Sequence, residues 1–338
     1  MDDATPLNPA NRLRPAGPTV GLDIGGTKTL AVLLDAAGVT VAQARLATER
    51  GPAGVVAGAA RAVRGVARQA GVDVADVVGV GVGMPGLVDP AAGTVRHAVN
   101  VGVDAAPLAL ARLLGDELGG VPVGLENDLN VAALGAAHLE AAAAGTPRAQ
   151  VDLAFLALGT GLAAGLVLDG ELRRGFGGAA GEIGHVPVDP SGPVCPCGQR
   201  GCLELYASGT AVARLWPTDS GRPAPVELFE AAERGVPAAL EARDVYASAV
   251  AAAVRMLVLT VDVQHVVLGG GVAQLGEPLL EAVRAALVRE SRDSGFLGSL
   301  HLADRVRLAP GRVPVGAVGA AVVGRTVAGR APLNGVAS

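Results

Sequence analysis

The chain has 338 residues, half of them apolar, and carries a net charge of −5. That length suits two domains or two lobes of one fold. The mild acidity excludes the basic footprint of a nucleic-acid-binding protein. Met1-Asp2-Asp3 lacks the basic start and apolar run of a secretory signal. The most apolar helical stretch, Tyr246 to Val261, contains Arg255 and reads as a buried helix, not a membrane span.

Met1 to Pro18 holds four prolines and no apolar periodicity, so it reads as a disordered tail. A first strand through Val20-Gly-Leu22-Asp23 runs into Gly25-Gly26-Thr27. A second spans Thr29 to Leu34, turns at Asp35 to Gly38, and a third starts at Val39. A helix is expected over 52–69, a strand over 77–82 and a helix over 107–118. A strand over 121–125 ends at Glu126-Asn127-Asp128, with a helix continuing through Ala136. The pattern then restarts. Leu153 to Leu158 runs into Gly159-Thr160-Gly161, and Leu162 to Leu168 turns at Asp169-Gly170. A strand over 265–268 ends in Gly269-Gly270-Gly271, followed by a helix over 278–289, a strand over 306–308 and a helix over 316–328. Two copies of a strand, glycine turn, strand, strand unit followed by alternating helices and strands predict two α/β lobes with mixed sheets and a cleft between them.

All three cysteines fall in one run, Cys195-Pro-Cys197-Gly-Gln-Arg-Gly-Cys202, ten residues after His185. Three thiolates and an imidazole make a closed tetrahedral set for structural zinc. The short Cys195–Cys197 spacing and the odd count argue against a disulfide. Thiols committed to metal fit a reducing cytoplasm. Glu182 and Glu204 bracket the cluster and would otherwise be solvated charges. The two glycine turns, each no more than a tight turn when taken alone, together form a candidate polyphosphate clamp of backbone N–H groups. Neither is a Walker loop or a dinucleotide fingerprint, because Gly25-Gly26 opens a strand. Asp128 at a helix start is either a charge on the helix dipole or a base. Lys28 is the chain's only lysine. His97, His138, His265 and His301 have no ligand spacing and read as structural or surface residues.

Asp23-Ile-Gly-Gly-Thr-Lys28, Glu126-Asn127-Asp128, Gly181-Glu182-Ile-Gly-His185 and the segment from Cys195 to Glu204 occur in that order. Together they closely resemble the ROK family of sugar kinases and sugar-responsive repressors, and the resemblance covers about Val20 to Ala328. It implies a two-lobed actin-like ATPase (ribonuclease H-like) fold with a central cleft. The lobes would be residues 19–125 with 313–330 and residues 126–312. It implies that Asp23, Gly25, Gly26, Thr27 and Lys28 face the donor phosphates and Mg²⁺, with Gly159, Thr160 and Gly161 on the other side of the phosphate chain. Ser208, Gly209, Thr210 and the run Gly269, Gly270, Gly271, Val272 would border the adenosine. Asn100, Asn127, Asp128, Glu182, His185 and Glu204 would ring the sugar, with Asp128 as catalytic base. The implied protein is a cytoplasmic ATP-dependent hexokinase of glucokinase type, a homodimer or homotetramer with structural zinc. Within the family, an N-acetylhexosamine or fructose kinase is the alternative. A non-catalytic sugar-binding protein is another, against which the intact Asp128 and phosphate turns stand. A family repressor would need a helix-turn-helix ahead of the first strand, which 1–18 cannot supply. Asn100 is followed by Val-Gly-Val-Asp104 where the family often has an aromatic residue, so this segment bears on the choice of sugar. Zinc loss is expected to loosen Glu182, His185 and Glu204 and to leave the glycine turns, far along the chain, untouched.

Overall fold

The computed structural model describes residues 17–311 and 313–330. Of the expected tail, only Gly17 and Pro18 are among them; the rest lies outside the described residues. The chain divides into two compact units, one joining the residues up to Val131 with those from Gly316, the other spanning Ala132–Val315.

The first unit is built on β1 (Thr19–Ile24), β2 (Lys28–Leu34), β3 (Thr40–Ala47), α1 (Pro52–Gln69) and β4 (Gly79–Met84). A two-stranded ribbon, β5 (Leu87–Asp89) and β6 (Thr94–Arg96), precedes α2 (Leu110–Glu117) and β7 (Val123–Asn127). Then α3 (Asp128–Ala144) leads into the second unit. There β8 (Leu153–Leu158), β9 (Leu162–Leu168) and β10 (Glu171–Leu172) are followed by α4 (Glu204–Ala207), α5 (Gly209–Leu215) and α6 (Ala224–Glu233). Next come α7 (Pro237–Val261), β11 (His265–Gly269), α8 (Glu277–Ser291), α9 (Gly295–Ser299) and β12 (Val306–Leu308). The last helix, α10 (Val315–Arg330), returns to the first unit.

The two sheets match strand for strand, β3-β2-β1-β4-β7 and β10-β9-β8-β11-β12. In each, the hairpin strands pair antiparallel and the last two join in parallel. Parallel strands need buried faces on both sides, and β4 is buried at every residue. The edge strand β3 instead alternates and exposes Val41, Gln43 and Arg45. In the second unit α7 is the core helix. Its face of Ala239, Tyr246, Val250, Val254 and Leu257 is buried, and it packs between α6 and α8.

Unit one closes through glycine. A Cβ on Gly21 would lie 1.9 Å from the Ala317 carbonyl oxygen, and one on Gly81 1.7 Å from that of Ala320. A Cβ on Gly79 would lie 2.2 Å from the Gly324 carbonyl oxygen, whereas Gly124 makes room for the side chains of Val323 and Val327. Helix α10 therefore rests on the backbones of β1 and β4 with no side chain between, and sets the Val323 and Val327 side chains against Gly124 of β7. The Arg325 guanidinium reaches from this helix to the Asp35 carbonyl at 2.6 Å. Gly81→Ala puts a methyl into a backbone carbonyl and should cost about 3 kcal/mol or more, the range of severe overpacking. Chemical denaturation of the variant checks this, and a midpoint equal to the parent's would contradict the docking described.

Candidate active site

In the first unit, the candidate residues gather at the carboxyl ends of the parallel strands. Asp23 of β1 registers with Gly83 of β4, which registers with Glu126 of β7. Asp23 and the Glu126-Asn127-Asp128 run are thus two strand spacings apart, about 10 Å. Gly83 makes room for α3, because a Cβ there would lie 2.3 Å from Val131 Cγ2. The Gly25-Gly26-Thr27 turn is closed by the Gly25 N–H donating to the Lys28 carbonyl at 3.0 Å. Thr27 and Lys28 are exposed.

Glu126 is buried at 2% exposure, and its Oε1 accepts from the Asn127 N–H at 3.0 Å and from Asn130 Nδ2 at 2.8 Å. Asn130, in the first turn of α3, thus ties the helix to the end of β7, a contact that no sequence motif marks. Asn127 Oδ1 and Asp128 Oδ1 both accept from the Leu129 N–H at 2.9 Å. Asp128 therefore places its charge in the first turn of α3, where the Asn127 side chain also bonds its carboxylate. Although its side chain reaches solvent, the surrounding protein raises its pKa by desolvation, against the hydrogen bonds that lower it. Asp23 is pushed up to about 6, by burial first and then by the Asp128 charge, with Lys28 pulling the other way. Two carboxylates that resist joint ionisation define a place where a cation would be stabilising. Asn100 is exposed on a 3₁₀ turn, Val99–Val101, in the same unit, and Gly26 approaches it: a Cβ on Gly26 would lie 3.0 Å from the Asn100 Cβ.

In the second unit, three candidate nucleotide segments meet at the end of β8. The Gly209 N–H donates to the Gly159 carbonyl at 2.7 Å, and Thr210 Oγ1 to the Thr160 carbonyl at 2.8 Å. Ser208 caps α5 by accepting from the Ala211 N–H at 3.2 Å. Gly270, at φ 85°, would place a Cβ 2.7 Å from the Leu158 carbonyl oxygen. The close approaches at Gly209 and Gly270 leave no room for a side chain at those two positions.

The Gly181 to His185 segment docks on β9, where Gly181 accepts from the Ala164 N–H at 2.8 Å. A Cβ on Gly184 would lie 2.1 Å from the Leu162 carbonyl oxygen. His185, Cys195, Cys197 and Cys202 bring one ligand atom each to within 4.8 Å of one another. His185 Nδ1 is buried without a hydrogen-bond partner, and the Sγ atoms of Cys197 and Cys202 lie 3.6 Å apart. In a tetrahedral zinc site with bonds of about 2.3 Å, ligand edges are about 3.8 Å, so the donor set fits zinc in kind and spacing. Burial and the neighbouring thiols raise the pKa of Cys202, while N–H groups of Gln199 lower that of Cys197. A cation relieves that conflict. The other ring nitrogen, His185 Nε2, lies 4.0 Å from Glu182 Oε2.

Glu204 also makes a contact that the sequence did not suggest. Its Oε2 accepts from the Leu162 N–H at 3.0 Å, and a Cβ on Gly161 would lie 2.4 Å from the same oxygen. The cysteine loop and the second glycine turn, distant in sequence, are therefore joined by a carboxylate two residues past Cys202. That contact gives zinc loss a route to this turn, which the sequence alone did not show.

The ROK family profile matches residues 19–323. The chain belongs to this family, and its fold is that of the actin-like ATPases. It is 32% identical over 294 residues to a glucokinase from Streptomyces coelicolor, an alignment covering 81% of this chain and 88% of the relative. A ROK hexokinase from Thermus thermophilus superposes with a TM-score of 0.74 at 32% identity, over 91% of this chain and 98% of the other. A ROK family glucokinase from Streptomyces griseus, solved with glucose and AMPPNP, gives a TM-score of 0.68 at 32% identity over 92% and 100%.

Two outcomes follow from the site. Because folding raises the Asp23 pKa from 3.8 to about 6, its ionisation opposes folding, and the penalty grows from pH 4 to 6 and persists above. Asp23→Asn should therefore raise the unliganded melting temperature at pH 7.5 but not at pH 4. The gain should be about 1–2 kcal/mol, below the roughly 3 kcal/mol of two unscreened pKa units. A variant less stable than the parent at pH 7.5 would contradict the assignment. For the metal loop, Cys197→Ala should lose bound zinc, weaken sugar affinity, and also weaken nucleotide affinity through Glu204 and Leu162. Metal analysis with sugar and ATP-analogue titrations reads all three, and unaltered nucleotide binding would show the Glu204 tie to be inert.

Proposed function

We propose that this chain is an ATP-dependent hexokinase of glucokinase type, which transfers the γ-phosphoryl of ATP to the 6-hydroxyl of glucose or a close aldohexose. The observation that carries the reading is Asp128. It stands at a strand-to-helix junction with its pKa raised, beside Asn127 and on the same strand ends as Asp23. A base needs a carboxylate held rigidly yet open to substrate, and the Leu129 N–H holds Asp128 in that way.

In the proposed step, Asp128 takes the proton of the 6-hydroxyl as that oxygen bonds to the γ-phosphorus. The bond from phosphorus to the β,γ-bridging oxygen breaks, and its electron pair leaves with ADP. Mg²⁺ arriving with ATP would neutralise phosphate charge, and Asp23 is the carboxylate suited to meet it. Within the first unit, Gly25, Gly26, Thr27 and Lys28 offer donors to the phosphates, and Asn100 and Asn127 to the sugar. Within the second, Glu182, His185 and Glu204 are the sugar ligands, held by structural zinc on His185, Cys195, Cys197 and Cys202. Gly159 to Gly161 face phosphate there, and Gly209, Thr210, Gly270 and Gly271 border the adenosine. The reading includes a cytoplasmic enzyme that assembles as a dimer or tetramer.

An ADP-release assay across aldoses, ketoses and N-acetylated hexosamines tests the reading. Glucose should give the highest kcat/KM, and Asp128→Asn should lower turnover by at least ~10²-fold while sugar still binds. Turnover within threefold of the parent would remove Asp128 as the base. Faster turnover with polyphosphate than with Mg-ATP would remove the adenosine assignments.

A further inference from the structure

The connection between β3 and α1, Thr48-Glu49-Arg50-Gly51, contributes no residue to the candidate site. Yet it holds both of the loops that do so in the first unit. Thr48 grips the phosphate turn: its hydroxyl donates to the Gly25 carbonyl at 2.7 Å and its N–H to the Thr27 carbonyl at 3.2 Å. The buried Thr29 hydroxyl lies 3.1 Å from Thr48 Oγ1. The single Thr48 proton is already given to Gly25, so Thr29 is the donor there.

Two residues on, the chain grips the Asn100 loop. Arg50 donates to the Asn100 carbonyl oxygen twice, from Nε at 3.1 Å and from Nη2 at 2.9 Å. The Gly51 N–H donates to the Val101 carbonyl at 2.8 Å. A Cβ on Gly102 would lie 2.8 Å from the Gly51 nitrogen, so the two segments meet backbone to backbone. Glu49 pairs with Arg61 and ties the connection to α1.

The Asn100 loop is a tight reversal, with His97 at φ 55° and Gly102 at φ 76°. Its internal bonds are short-range, from the Val101 N–H to Ala98, Gly102 to Val99 and Val103 to Ala98. Val101 and Val103 are buried and anchor it, while Asn100 is exposed at its tip. Two N–H groups from one planar guanidinium fix the position and limit the rotation of the Asn100 peptide. A lysine ammonium would offer a point charge instead.

We propose that Thr48–Gly51 is a positioning strut, in which Arg50 sets the Asn100 peptide, and with it sugar affinity, without touching the sugar, while Thr48 fastens the same segment to the phosphate turn. The proposal rests on the sugar-kinase reading above.

Steady-state kinetics on Arg50→Ala, Arg50→Lys and Thr48→Val, with hydrogen exchange across residues 97–104, tests it. Arg50→Ala should raise the hexose KM about five- to twentyfold, the scale of lost charge-assisted hydrogen bonds at an exposed site. The kcat and the ATP KM should stay within about twofold of the parent, unlike a general loss of folding. Exchange at the Val101 to Val103 amides should quicken, and Arg50→Lys should restore part of the hexose KM. Thr48→Val should raise the ATP KM ahead of the hexose KM. An unchanged hexose KM in Arg50→Ala overturns the strut. So does a joint fall in kcat, both affinities and melting temperature. Unaltered exchange at 101–103 overturns the clamp whatever the substrate. A parent chain that phosphorylates no hexose overturns the kinase reading itself, so the two failures are distinguishable.

Discussion

The first unit depends on a helix laid directly on a sheet. Gly21, Gly79 and Gly81 leave the faces of β1 and β4 bare, and α10 answers with Ala317, Ala320, Ala321 and Gly324, while Gly124 of β7 takes the Val323 and Val327 side chains. Dispersion falls steeply with distance, so this backbone approach replaces a conventional side-chain layer. It also fixes the site. Gly316, in the first turn of α10, faces Asp23 so closely that a Cβ there would lie 2.6 Å from its Oδ2. The helix end favours an anion, while burial and Asp128 disfavour one. Asp23 is held at the balance of these opposing effects, and a bound cation would shift it.

The second unit solves a different problem. A long segment between β10 and α4 has little regular structure, yet it carries Glu182 and His185 and leads into Glu204, the first residue of α4. Glycine contacts seat its start on β9, isolated bridges pair Pro187 with Cys202 and Val194 with Arg200, and the cysteines close its far end. Gln199 Nε2 donates to the His185 carbonyl at 3.0 Å, drawing the histidine toward the thiols without the metal. The loop is thus partly preorganised by hydrogen bonds, and a tetrahedral ion would complete it.

What the sequence disclosed was local. Helix α1 is bounded as expected, because Pro52 fits the first turn and the apolar stripe is clear. The duplicated sheet followed from two glycine hairpins at matching points, and the cysteine set from spacing alone. Helix α3 was expected to continue through Ala136 and runs to Ala144, past Gly135, its end falling just before Gly145. Helix α2 begins at Leu110 and not Pro107, because Leu108 bridges to Val95 of β6. The Glu204 bond to Leu162 and the Arg50 bonds to Asn100 join residues about 40 to 50 positions apart. Such contacts between exposed or half-exposed polar groups leave no periodicity to read. They appear only when the backbone brings the partners together.

The return of α10 also orders events in time. A ribosome delivers Gly21 and Gly81 long before it delivers Ala317 and Ala320, the residues that must cover them. The second unit is a single continuous stretch of chain and can collapse as it emerges. The first cannot: until the last helix arrives, β1, β4 and β7 present an uncovered face in which glycine leaves peptide groups open to stray pairing. Closing a loop that spans nearly the whole chain makes this the step of highest contact order. The unit that begins the sequence is therefore the one that finishes folding, and its interval of exposure is set by the synthesis time of everything in between.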